Sequence, residues 1–285
     1  MALMAEIRAR APIRLDLAGG WTDVPPFASR EGGAVVNLAI NRYSYVTVRR
    51  RAAGFSLRSA DYDARVDAED LDGLRYDGNL DLLKASVVVA HREWPEGSAV
   101  GGLEVFVRCD APPGSGTGGS GSVGVALAGA LAAAGGQRLV PHQAALRAWR
   151  AERQEAGVAG GTQDQFAAAY GGANFMEFRD THVSVSPLRL TPSTVAELEK
   201  RLVLCYTGVS RVSGDIIDVV MGAYQSGAPA TVAALHALRR LAGVAKTLLL
   251  AGDVSGLGEL LDEHWHCQKD LHPSVSNTGI DALWE

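Results

Sequence analysis

Ile13, Leu15 and Leu17 alternate with Arg14 and Asp16, the period of a half-buried β-strand. Gly19-Gly20 and Pro25-Pro26 then break regular structure. Gly33 to Ile40 is an apolar run with β-branched Val35, Val36 and Ile40, and Tyr43, Tyr45, Thr47 and Arg49 alternate with Ser44, Val46 and Val48. Both segments predict strand. Residues 61–81 are dense in Asp and Gly and predict loop and turn. Asn79 is placed to cap a helix running through Leu82, Val87 and Val88 to about Trp94, where Pro95 stops it.

Leu103, Val105 and Val107 alternate into a strand ending at Cys109. A glycine-rich segment follows, and helix formers run from Val123 to Ala134. A second helix is expected from Pro141 to about Ala156 and a short one from Asp164 to Tyr170. A strand is expected over 173–178. After Asp180 the texture changes, so a domain boundary is expected there, dividing 1–180 from 181–285. Arg201 to Tyr206 reads as a strand. From Val212 to about Gln268 the period is helical, broken near Gly227-Ala228-Pro229 and Gly252, and another helix starts at Asn277. No internal repeat is visible.

Composition narrows the class. Of 285 residues, 47% are apolar and 21% charged, which suits a globular chain able to bury its own core. The net charge of −5 disfavours a general nucleic-acid binder. No apolar run reaches the ~20 residues of a membrane span, so no membrane partner is expected. Cys109, Cys205 and Cys267 are far apart and odd in number, which fits free thiols in a reducing cytoplasm.

Three segments carry candidate chemistry. The first is Pro113-Gly114-Ser115-Gly116-Thr117-Gly118-Gly119-Ser120-Gly121-Ser122, between a strand and a helix. Its glycines let backbone approach a ligand closely, and a helix N-terminus offers unpaired N–H groups to an anion. Ser115, Thr117, Ser120 and Ser122 add hydroxyls. It is neither a Walker A loop, since it holds no lysine, nor a Rossmann fingerprint. The second is Gly161-Thr162-Gln163-Asp164-Gln165. Asp164 there is either a helix cap or a carboxylate that takes a proton from a substrate hydroxyl. The third is Arg14 followed by Gly19-Gly20-Trp21-Thr22-Asp23. Arg14 is either solvent-facing or a cation that stabilises an ionised base and a transferring phosphoryl. Asp23 is either a local turn cap or an acceptor of sugar hydroxyls.

Taken together and in order, these segments resemble the GHMP small-molecule kinases. Ala11 to Asp23 is similar to that family's first motif, Pro112 to Ser120 to its phosphate-binding motif, and Gly161 to Gln165 to the segment holding the catalytic aspartate of its sugar kinases. Within the family the likeness is strongest to the D-glycero-D-manno-heptose 7-phosphate kinases and the fucokinase-like domains. Gly19 to Pro26 is similar to the fucokinase side. Gly161 to Glu177, Tyr206 to Arg211, His264-Trp265 and Leu271 to Asn277 are similar to the heptose kinases. The resemblance implies an α+β, two-domain fold. A mixed sheet with helices would form the N-terminal part, and helices over an antiparallel sheet the C-terminal part. It implies ATP and Mg2+ as cofactors and a small-molecule sugar or sugar phosphate as partner, most specifically the anomeric hydroxyl of a heptose 7-phosphate. Asp164 and Arg14 would be catalytic. Residues Pro113 to Ser122 would bind nucleotide, and Ser120 and Glu152 would hold magnesium. Thr22, Asp23, Gly161 and Arg211 would bind the acceptor, Arg211 through a phosphate.

Two departures qualify the resemblance. The family loop has adjacent serines, whereas Gly119 precedes Ser120 here. The family's third, C-terminal glycine-rich motif is absent from these residues, so the second domain, 181–285, is expected to be incomplete. An exposed sheet edge would follow, with poor solubility or homo-oligomerisation. The alternatives are a fucokinase-like or other GHMP kinase, and a non-catalytic nucleotide- or sugar-binding protein of the same fold.

Overall fold

The structure is a computed structural model that describes residues 6–95, 101–180, 182–208 and 213–284. The elements run, in chain order, β1 (Ile7–Ala18), α1 (Phe27–Glu31), β2 (Gly33–Arg51), β3 (Gly54–Ser59), β4 (Ala64–Ala68) and α2 (Asp81–Arg92). Then come β5 (Gly102–Cys109), α3 (Gly119–Ala134), α4 (Pro141–Trp149), a π-helical turn (Arg150–Glu155), α5 (Gln163–Tyr170), β6 (Ala173–Arg179) and β7 (His182–Pro187). Helices α6 (Pro192–Arg201), α7 (Ser213–Gln225), α8 (Pro229–Ala251), α9 (Val254–Leu271) and α10 (Thr278–Trp284) complete the set. No helix among the described residues is long and apolar enough to cross a membrane.

The chain forms two compact units. One draws on residues 1–14, 40–158 and 164–171, the other on 15–39, 159–163 and 172–285. Asp180 lies inside the second, between β6 and β7.

The first unit is built on strands in the order β4-β3-β5-β2. β3 runs parallel to β5, while β3–β4 and β5–β2 are antiparallel, so this sheet is mixed. The alternation read from the sequence sets its faces. Val46, Val48, Leu57, Leu103, Val105 and Val107 point into a core shared with Leu83 and Val87 of α2 and Leu127 and Leu131 of α3. Helix α3 is apolar nearly all round and is accordingly buried along most of its length.

In the second unit the first half of β2 pairs antiparallel with β6, and β6 with β7. Leu17, Val36 and Phe175 pack there with Leu241 and Leu249 of α8 and Leu257 and Leu260 of α9. A further cluster joins Phe27 of α1, Val220 and Tyr224 of α7, and Leu235 and Leu238 of α8.

Three local expectations are corrected. Residues 61–81 contain a strand, β4, because β3 offers a free edge whose backbone groups its residues satisfy. Asn79 does not cap α2. The N-cap is Leu80, at φ 56°, and the turn is held instead by Lys84, 1% exposed, whose Nζ donates to Arg75 O, Asp77 and Asp81. Residues 202–206 form no strand. Val203, Leu204 and Tyr206 are 89%, 56% and 44% exposed, and among the described residues no strand pairs with this segment to form a ladder.

The substitution Leu131→Ala, at a fully buried position of α3, is expected to lower the unfolding free energy by about 2–5 kcal/mol. A urea titration reads this as a lower midpoint at an unchanged slope.

Candidate active site

In the first unit, β5 delivers the chain into the glycine-rich loop. Gly114, Gly116 and Gly118 hold φ of 71°, 75° and 70°, alternating with Ser115 and Thr117. Side chains rarely adopt that conformation, and such alternation turns successive N–H groups toward one side, as anion-binding backbone does. Gly118 is the N-cap of α3, whose first N–H groups lack helical partners. The loop's hydroxyls are not equivalent. Ser115 and Thr117 bond each other at 2.8 Å, and Ser120 is exposed on the first turn of α3. The buried Ser122 donates to Ala11 O at 2.7 Å. That bond ties α3 to β1 and engages the Ser122 hydroxyl proton within the fold.

Arg14 lies on β1 and Asp164 in the first turn of α5. Arg14 Nε and Nη2 both donate to Asp164 Oδ1, at 3.0 and 2.7 Å, with the two side chains only 11% and 20% exposed. Arg14 Nη1 donates to Gly116 O at 2.8 Å, and its backbone N–H to Thr117 O at 3.1 Å. One arginine thus joins the carboxylate to the loop. Glycine permits the approach. A Cβ at Gly118 would lie 3.3 Å from both Arg14 Cγ and Asp164 Cγ, and one at Gly121 would lie 2.6 Å from Asp164 Cβ. Asp164 Oδ2 keeps no hydrogen bond within the described residues, so it is the oxygen able to accept a proton.

Glu152 is 3% exposed in the π-helical turn, a distortion frequent at functional sites. It accepts from Nε2 of Gln165, the residue after Asp164, and Gln165 Oε1 is buried without a hydrogen-bond partner. Glu152, Ser120 and that orphaned oxygen are hard oxygen donors of the kind magnesium takes, so their chemistry fits the ion. No cluster of three or more His, Cys, Asp or Glu suited to a metal occurs among the described residues.

The second unit holds the other candidate residues. Asp23 is 3% exposed, and its Oδ2 accepts the amides of Thr162 and Gln163 at 2.8 and 3.0 Å. It thereby satisfies, from a distant part of the chain, two amides at residues 162 and 163 that lack helical partners. Gly161 packs on the same carboxylate, where a Cβ would fall 1.9 Å from Oδ2. Gln163 Nε2 reaches Asp16 Oδ2 at 3.2 Å and Asp23 Oδ1 at 3.4 Å. Thr22 is fully buried. Its Oγ1 lies 2.7 Å from Gly19 O and 3.0 Å from Ala34 O, and accepts from Ala34 N at 3.0 Å. That hydroxyl is engaged within the fold. Arg211 lies outside the described residues.

The turn carrying Thr22 and Asp23 is strained, with Gly19 at φ 92° and Trp21 at 78°; a tryptophan there persists only where its surroundings fix it. One such contact comes from α9. His264, 5% exposed, accepts the Gly19 N–H on Nε2 at 3.1 Å, so its proton sits on Nδ1. Burial pushes the pKa of this imidazole down to about 4. Reasoning from the sequence gave no role to His264, Asp16, Gln163 or Gln165: the glutamines stood only as neighbours of Asp164, Asp16 only as a polar position of a strand, and His264 only within a segment similar to the heptose kinases.

Residues 81–172 match the family described as GHMP kinases N terminal domain. Over 284 residues the chain is 32% identical to the D-glycero-alpha-D-manno-heptose 7-phosphate kinase of Campylobacter jejuni, covering 99% of this chain and 83% of the relative. The chain belongs to the GHMP kinases. This GHMP kinase is also similar to the crystal structure of a D-glycero-D-manno-heptose 1-phosphate kinase from Bacteroides thetaiotaomicron. The TM-score is 0.77 and the identity 30%, over 92% of this chain and 79% of that one. It is 25% identical to a bifunctional fucokinase/GDP-fucose pyrophosphorylase of Arabidopsis thaliana, over 98% of this chain but 27% of that protein.

The buried imidazole sets a pH dependence. His264 is neutral in the folded chain down to about pH 4, whereas an unfolded histidine gains a proton below about 6.5. The unfolded state therefore binds more protons in that window. The contribution is complete above about pH 6.5 and is lost as pH falls toward 4, by about 3 kcal/mol in total. Urea unfolding at pH 7 and pH 5 is expected to show a loss in the wild-type protein about 2 kcal/mol greater than in His264→Gln.

Proposed function

We propose that this GHMP kinase moves the γ-phosphoryl group of ATP onto a hydroxyl of a sugar phosphate, and that the acceptor is the anomeric hydroxyl of a heptose 7-phosphate. The observation that carries the reading is the Arg14–Asp164 pair held against the glycine loop. It joins a proton acceptor, a fixed cation and an anion-binding backbone in one unit, which is what phosphoryl transfer requires beyond positioning. The heptose acceptor rests on the 32% identity to the Campylobacter enzyme.

In this mechanism the acceptor oxygen attacks the γ-phosphorus and the bond from that phosphorus to the β–γ bridging oxygen breaks. ADP leaves, and the hydroxyl proton passes to Asp164 Oδ2. Arg14 holds Oδ1, leaving Oδ2 to face the hydroxyl, and offsets negative charge as it builds. The N–H groups of the loop and of the first turn of α3 cradle the phosphates. Glu152 and Ser120 would hold a magnesium ion, which when bound neutralises phosphate charge. Asp23 holds the amides of Thr162 and Gln163, and its part is to border the acceptor. The three cysteines, free in the structure, suit a reducing cytoplasm.

The test is ADP release from Mg-ATP with D-glycero-D-manno-heptose 7-phosphate, L-fucose and D-galactose as acceptors, with the product identified by phosphorus NMR. Turnover is expected on the heptose phosphate. Asp164→Asn is expected to lower kcat about 10²–10⁴-fold while the Kd for ATP stays within threefold. Full turnover by Asp164→Asn contradicts the mechanism, and turnover on L-fucose alone contradicts the acceptor.

A further inference from the structure

His264 takes no part in the transfer just described, yet it is 5% exposed and its Nε2 lies 3.1 Å from the Gly19 amide. Gly19 is gripped at both ends. Its carbonyl accepts from the backbone N–H of Thr22 at 3.2 Å and lies 2.7 Å from the Thr22 hydroxyl. It also has no room to move. A Cβ there would fall 2.0 Å from Ala34 O and 2.9 Å from Ala242 Cβ, so β2 and α8 close on it. From this anchor the chain passes through Trp21 in its left-handed conformation to Asp23, whose carboxylate receives the amides of Thr162 and Gln163. Within that turn Thr22 fixes the carbonyl side, and among the described residues the imidazole on α9 is what holds the Gly19 N–H.

We propose that His264 is a positioning residue for the sugar acceptor, fixing the Gly19–Asp23 turn through the Gly19 N–H so that the turn is ordered before the acceptor arrives. The inference rests on the reading of that turn as the acceptor side of a sugar-phosphate kinase. It assigns His264 no proton transfer. The imidazole acts as a neutral acceptor with fixed geometry, and a turn that must order itself on binding loses acceptor affinity.

Reach makes the idea testable. From Cα, glutamine Oε1 is as many bonds away as histidine Nε2, whereas asparagine Oδ1 is one bond short. His264→Gln is expected to keep the KM for the sugar phosphate within twofold of wild type. His264→Asn and His264→Leu are expected to raise it at least fivefold, with kcat and the KM for ATP within twofold. A merely structural role would move all three constants together and would not be rescued by glutamine. Amide exchange in the protein without substrates supplies the second readout. Exchange at Gly19 is expected to accelerate at least tenfold in His264→Asn and to stay slow in His264→Gln. The proposal is overturned if His264→Asn leaves the acceptor KM unchanged, if His264→Gln fails like His264→Asn, or if Gly19 exchange is the same in all variants. If the wild-type protein phosphorylates no sugar, the functional reading fails, and with it the acceptor role. The exchange comparison then still decides whether His264 anchors the turn.

Discussion

Arg14 reaches two distant parts of the chain: it donates twice to Asp164 Oδ1 at the start of α5, and to Gly116 O and, from its backbone, Thr117 O in the glycine-rich loop. The first unit's candidate site depends on this fork. A guanidinium presents its donors in a fixed plane, so a carboxylate and a loop carbonyl can be held in one geometry. A lysine would supply the charge without the fork. The pair is largely shielded from water, where a charge–charge interaction is stronger than at an open surface. Its value is positional as well as electrostatic, since breaking either partner leaves the other charge poorly solvated and frees the loop.

That geometry imposes a second constraint, the absence of side chains. Gly118 and Gly121 lie against Arg14 and Asp164 at distances where a Cβ would crowd or clash. Glycine in the loop therefore serves two ends at once: positive φ for the cradle, and room for α5 to lie against α3. The same logic recurs in the second unit, where the Gly161 backbone packs directly on the Asp23 carboxylate. Asp23 then satisfies the start of α5 from outside that helix. A carboxylate at a helix N-terminus is favoured by the unpaired amides and by the dipole. Here it arrives from 140 residues away in sequence, so the bond also links two distant segments of the second unit.

Much of this was legible in the chain. The alternation of Leu103, Val105 and Val107, the glycine loop and the apolar run of α3 mark a strand, loop and helix, because each is a local pattern with its own period. The grouping of Arg14, the loop and Asp164 was legible only through resemblance, since no local rule brings residues 150 apart together. The failures have physical causes. Thr22 was placed beside the acceptor by the resemblance alone, which does not show that its buried hydroxyl satisfies nearby backbone, where it meets three atoms. Residues 202–206 looked like a strand, yet a strand exists only with a partner. His264 stood in a segment similar to the heptose kinases, but its contact was not legible because it is made to one backbone amide 245 residues away.

The central claim is that Arg14 and Asp164 act as one unit in catalysis, and a double-mutant cycle tests it most directly. Turnover with Mg-ATP and the heptose phosphate would be measured for the wild type, Arg14→Met, Asp164→Asn and the double variant. If each residue works through the other, the double variant is no slower than the slower single variant, within about threefold. Losses that multiply, so that the double variant falls by the product of the two single effects, would show that the residues act independently and would contradict the account.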